Sequence, residues 1–215
     1  MTPLASPDNA PYNPTQEALT ARLQSAFGKH KTWPAFKARL QAHLPRLCFE
    51  LAPLYGEHDD FDGIVERLLR TAFLAWEARP ESLKQQDLAR EAQPDWFQSE
   101  KMMGAVCYVD LFAGNFKGLE AQIPYFQELG LTYLHLMPPY LCPEPHNDGG
   151  YAVSSYRDVK PSLGAMADFK RVIGKLRDAG ISVVLDFVFN HTSDEHDWAI
   201  AARANEPRYR NYYYI

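Results

Sequence analysis

Residues 181–196 read ISVVLDFVFNHTSDEH, and the fold turns on them. Ile181, Val183, Val184 and Leu185 make an apolar, β-branched run led in by Gly180. That is how a strand of a buried parallel sheet reads. Asp186, Asn190 and His191 break the run at its C-terminal end. Polar groups at the end of a dry strand cost free energy unless they are hydrogen-bonded or put to use. In parallel α/β folds, ligands bind at that end of the strands. The stretch therefore points to a site at the strand ends of a parallel sheet, of a carbohydrate or a metal type.

Working outward, residues 104–112 (GAVCYVDLF) and 131–137 (LTYLHLM) predict two further strands, and residues 181–188 a third. Helices are expected over 116–129, 165–179 and 193–204, with a long loop over 138–164. Gly130 and Gly180 stand where glycines close helices. The order β-α-β-α-β-α implies a parallel sheet covered by helices.

Ahead of it the grammar is helical. Leu19, Leu23 and Phe27 form a stripe in a helix from Gln16 with Thr15 as its N-cap. A second stripe (Phe36, Leu40, Leu44, Leu47, Leu51, Leu54) runs through Trp33–Tyr55, with a break expected near Pro45. A third (Ile64, Leu68, Ala72, Ala75) runs through Phe61–Glu77, and residues 79–99 read as turn-rich and polar. Each stripe reads as core.

The expected organisation is a flexible arm (1–14), a helical domain (15–99) and an α/β domain (100–215). A closed (β/α)8 barrel takes about 250 residues. The fold class expected is thus an all-α N-terminal domain followed by α/β, the first three βα units of an incomplete (β/α)8 TIM-type barrel. Either this is a small open α/β protein or the front portion of a larger enzyme. The long loop after the second strand favours the latter, and the third strand is expected to be an unpaired edge.

Composition narrows the function. The 215 residues carry a net charge of −5 with no basic stripe, which excludes a nucleic-acid surface. No apolar run approaches the length of a membrane span, and residues 1–14 do not read as a leader, so a cytoplasmic protein is expected. Cys48, Cys107 and Cys142 are far apart and in no metal spacing, which fits buried free thiols. No Gly-x-Ser-x-Gly elbow, phosphate loop or dinucleotide fingerprint occurs.

Two clusters are candidates for chemistry. Asp148-Gly149-Gly150-Tyr151 places a carboxylate and an aromatic ring around a turn that brings backbone close to a ligand. A sugar pocket needs that pair, one group for hydroxyls and one for the face of the ring. The plainer reading is an Asp-Gly turn followed by a packing tyrosine. Asp186, Asn190 and His191 read either as hydroxyl partners or as a satisfied polar layer capping the sheet. On neighbouring strand ends of one sheet, the two clusters together favour a pocket. His191, Asp194, Glu195 and His196 resemble a zinc set, but helical zinc pairs are four residues apart. A spacing of five puts the imidazoles about 140° apart on a helix, and the two acids suit a helix start.

Residues 151–159 (YAVSSYRDV), preceded by DGG, and 186–191 (DFVFNH) resemble two signature regions of the α-amylase family, glycoside hydrolase family 13. Residues 104–114 (GAVCYVDLFAG) and 123–138 (IPYFQELGLTYLHLMP) are similar to its amylosucrase and sucrose hydrolase branch, as is the helical front. The resemblance runs from Thr15 to the end of the sequence. It implies that Asp148 and Tyr151 form the base and wall of a glucosyl pocket. Asp186 and His191 would contact the arginine near the nucleophile and the glucose hydroxyls. It further implies a retaining enzyme acting on sucrose or another α-glucoside, with no cofactor and no required metal, although Asn190 occupies a position that serves calcium in some relatives. The family's nucleophile and acid/base belong to later strands, so no catalytic residue is expected among these 215 and the chain alone is expected to be inactive. Two other readings are a non-enzymatic relic or sugar-binding module, and a metal-dependent hydrolase.

Overall fold

The computed structural model of the chain describes residues 14–214, and the chain divides into two compact units after Gln93. The arm expected over 1–14 lies outside the described residues except for Pro14.

The first unit is helical: α1 (Pro14–Phe27), α2 (Trp33–Tyr55), α3 (Phe61–Glu77) and α4 (Glu81–Glu91). Thr15 is no cap; α1 is already helical at Pro14, whose fixed φ suits a first turn. The expected break near Pro45 is absent, and α2 runs through both Pro45 and Pro53. Leu19, Leu23, Phe27, Trp33, Leu40 and Leu44 meet Val65, Leu69 and Phe73 in one core. On α3 this is the stripe next to the expected one, for Leu68 is 48% exposed while Phe73 is fully buried. Residues 79–99 are not merely turns. They contain α4, which buries Leu83 and ties Asp87 to Arg79 at 2.6 Å and Glu91 to Arg39 at 2.8 Å.

The second unit is built on three parallel strands, β1 (Gly104–Cys107), β2 (Tyr133–Leu136) and, last in the chain, Ser182–Leu185. The expected first strand is shorter than its sequence pattern, because Val109–Ala113 turns into a short helix, α5. The expected helix over 116–129 is two, α6 (Phe116–Ala121) and α7 (Ile123–Glu128), with Pro124 in the first turn of the second. Proline has no N–H to continue the ladder from α6. The expected loop over 138–164 contains an antiparallel ribbon, β3 (Tyr140–Leu141) with β4 (Ser155–Val159), so the third sheet strand is β5. Then come α8 (Met166–Asp178) and α9 (Asp197–Arg203). The helices before β2 and β5 end in the Schellman pattern, with Leu131 N–H donating to Phe126 O and Ile181 N–H to Leu176 O.

The sheet order is β1-β2-β5. Its alternate residues Ala105, Cys107, Leu134, Leu136, Val183 and Leu185 pack with Phe116, Leu119, Phe126, Val172 and Leu176 of the helices. The other face carries Val106, His135 and Val184, with Val106 61% exposed. At Gly104 a side chain would collide with the ring of its register partner Tyr133. The three cysteines are free, and burial pushes each thiol above its ordinary value.

Candidate functional site at the strand ends

Because β1, β2 and β5 are parallel, their C-terminal ends form one rim. Asp186 follows β5 directly, two residues after Val184 and so on the face that carries Val184. The ribbon leaves the end of β2 and folds back over this rim. Three tyrosine hydroxyls from the ribbon and its tip grip the chain beyond β5. Tyr140 donates to Asp186 O at 2.8 Å, Tyr151 to Asp186 Oδ2 at 2.7 Å, and Tyr156 to Val188 O at 2.6 Å. The second carboxylate oxygen, Asp186 Oδ1, lies 3.1 Å from His135 Nε2 on β2.

The turn that presents Tyr151 is built from its own residues. Asn147 accepts the Gly150 N–H through its side chain at 3.0 Å, and Asp148 takes φ 50°. Short polar residues enter this left-handed region most readily after glycine. Gly150 has φ 92°, and a Cβ there would stand 2.8 Å from Pro138 O, so the backbone of the turn lies against the chain just past the end of β2.

The electrostatics follow the contacts. Asp186, which accepts the Tyr151 hydroxyl, pushes the phenol up to about 12, and Asp148 adds to the negative field. Burial also raises the phenols of Tyr140 and Tyr156.

Of the four residues expected from sequence, the structure joins Tyr151 and Asp186 directly. Asp148 stands exposed at the same turn. His191 is exposed beyond the strand end, its Nδ1 3.3 Å from Asn190 Nδ2, and among the described residues it makes no hydrogen bond to Asp186 or Tyr151. Two other members of the supposed zinc set have separate tasks. His196 Nδ1 accepts the Trp198 N–H at the start of α9, and Asp194 lies 3.4 Å from Arg203. Among the described residues, no three His, Cys, Asp or Glu side chains gather as a metal site. Nor is any described helix long and apolar enough to cross a membrane.

The sequence reading missed His135 and Tyr140. One signal was available for His135, a lone polar residue in the apolar run LTYLHLM. Tyr140 gave none, since it stood in a segment expected to be loop.

A family model for the alpha amylase catalytic domain matches residues 80–215. Maltase 1 of Drosophila virilis is 43% identical over 100 residues, 46% of this chain and 16% of its own length. The oligo-1,6-glucosidase of Parageobacillus thermoglucosidasius is 42% identical over 101 residues, again 46% of this chain and 18% of its own. Among solved structures, a mutant of trehalulose synthase MutB of Pseudomonas mesoacidophila in complex with sucrose superimposes with a TM-score of 0.50 at 33% identity. That match covers 56% of this chain and 22% of that one. The chain thus spans less than a quarter of the length of each of these relatives. With parallel strands, a ribbon folded over their C-terminal rim and a family match over 136 residues, the chain belongs to the α-amylase family of glycoside hydrolases.

Proposed function

We propose that these residues form the glucose-recognising part of a retaining enzyme that cleaves α-glucosides, with sucrose as the substrate. One observation carries the reading: the Tyr151 hydroxyl donates to the Asp186 carboxylate at 2.7 Å. It joins the turn after β2 and the polar run after β5 into a single cup. In that cup the Tyr151 ring stacks on the apolar face of the glucosyl unit. Asp148 and His191, both exposed, take its hydroxyls. The choice of sucrose is supported by the amylosucrase-like text of residues 104–114 and 123–138, and by a sucrose-bound relative.

Bond cleavage is assigned elsewhere. A retaining glycosidase uses two carboxyls about 5–5.5 Å apart, one as nucleophile and one as acid/base. Asp186 is committed on both oxygens, to Tyr151 and His135. A carboxylate held that way orients its neighbours and is not poised to attack an anomeric carbon. We assign the nucleophile and the acid/base to later strands, as the resemblance to the α-amylase family implies.

The test has two arms on the purified 215-residue chain. Incubated with sucrose, it is expected to release neither glucose nor fructose above the spontaneous rate. Turnover near the enzymatic norm of about 10 per second would overturn the assignment of the chemistry elsewhere. Titrated with D-glucose and followed by NMR, it is expected to shift the Tyr151 and Asp186 resonances, with binding abolished in Tyr151→Ala. Wild-type spectra indifferent to glucose would overturn the pocket.

A further inference from the structure

His135 sits in the middle of β2, with Val106 of β1 and Val184 of β5 as its register partners. The three side chains form one layer on the sheet face turned away from the helices. The imidazole stands between two valines on this open face with its side chain 31% exposed, where an aliphatic residue would pack as well. What sets the imidazole apart is one bond, with Nε2 3.1 Å from Asp186 Oδ1. An ionised carboxylate only accepts, so the imidazole donates from Nε2. Asp186 lies one layer above Val184 on the same face, so the imidazole reaches it from beneath the rim while Tyr151 reaches it from the ribbon side.

Each polar atom of Asp186 beyond its amide thus has its own donor: Oδ1 from His135, Oδ2 from Tyr151 and the backbone oxygen from Tyr140. Remove the donor at Oδ1 and the carboxylate can turn about its terminal torsion, which is broad for aspartate. The Tyr151 hydroxyl would then lose its fixed acceptor.

We propose that His135 is a positioning residue of the cup: from the layer beneath the rim it fixes the Asp186 carboxylate, which in turn holds the Tyr151 ring at one angle for stacking on a sugar. The proposal rests on the glucose reading of the rim, and the test separates the two. NMR of the 215-residue chain without sugar is expected to show His135 as the Nε2–H tautomer and a low-field Tyr151 hydroxyl proton. His135→Phe removes that hydroxyl signal. His135→Gln, whose amide donates from nearly the same place, keeps it. In a D-glucose titration, the Phe variant binds at least about fivefold more weakly and the Gln variant within about twofold of wild type, the loss expected for one hydrogen bond.

An Nδ1–H tautomer in the wild type, a hydroxyl signal untouched by His135→Phe, or equal losses in both variants overturns the proposal. If the wild type binds no glucose, the glucose reading falls, and the tautomer and hydroxyl signals still decide the role of His135. Circular dichroism checks that both variants are folded. Should the Phe variant not fold, the wild-type tautomer and the Gln variant decide alone.

Discussion

Asp186 is the residue on which the rim is assembled, and the clearest mark it leaves on a neighbour is the ionisation of Tyr151. The Tyr151 phenol is pushed up to about 12 because its proton is held by that carboxylate. A free tyrosine ionises near pH 10. The folded value is raised, so the bond's stabilisation is complete below about pH 10 and is lost as pH rises through about 12. Chemical denaturation at stepped pH is expected to show wild type more stable than Tyr151→Phe by about 1 kcal/mol near neutrality. The gap closes across that alkaline window, and a gap unchanged at its upper end would show that the hydroxyl bond is not the cause.

Among the elements, α3 shows how periodicity can name a helix and miss its face. Ile64, Leu68, Ala72 and Ala75 have helical spacing, and so do Val65, Leu69 and Phe73 one step round. The second set is buried, because the large ring of Phe73 fits among Phe27, Trp33 and Phe36, with its centroid 4.3 Å from that of Phe27. Phe73→Ala is therefore expected to cost about 3–5 kcal/mol, whereas Leu68→Ala, half exposed, costs less than about 1 kcal/mol. Urea titration of the two variants checks the order, and a larger loss at Leu68 would reverse the assignment of the face. The same competition between local pattern and surroundings shortened β1. Val109, Leu111 and Phe112 have strand propensity, but β1 pairs with β2 only over Gly104–Cys107, and beyond it the chain coils into α5.

At the scale of the whole molecule, the second unit has a sheet covered by helices on one face and bare on the other. Val106 and Val184 are 61% and 43% exposed on that bare face, and β1 and β5 are both edges. Exposed apolar area and open strand edges favour association. The 215-residue chain is expected to bind a hydrophobic dye and to self-associate in light scattering, and Val106→Lys with Val184→Lys is expected to reduce both. Scattering from a monomer that ignores the dye would contradict the exposed face. The sequence by itself determined the three parallel strands, the helices between them and the rim as the place for polar residues, but neither α5 nor the β3–β4 ribbon. Apolar runs, helix-closing glycines and strand ends are local properties of the chain. The four expected site residues stood in it as motifs readable in place, and of these the structure joins Tyr151 and Asp186 directly. Only the tertiary structure decided that Tyr151, Tyr140 and His135 meet at Asp186, since they lie 35, 46 and 51 residues from it in sequence. Those meetings depend on how the ribbon folds back over β5 and on the register of β2, and both are set by packing that no local pattern encodes.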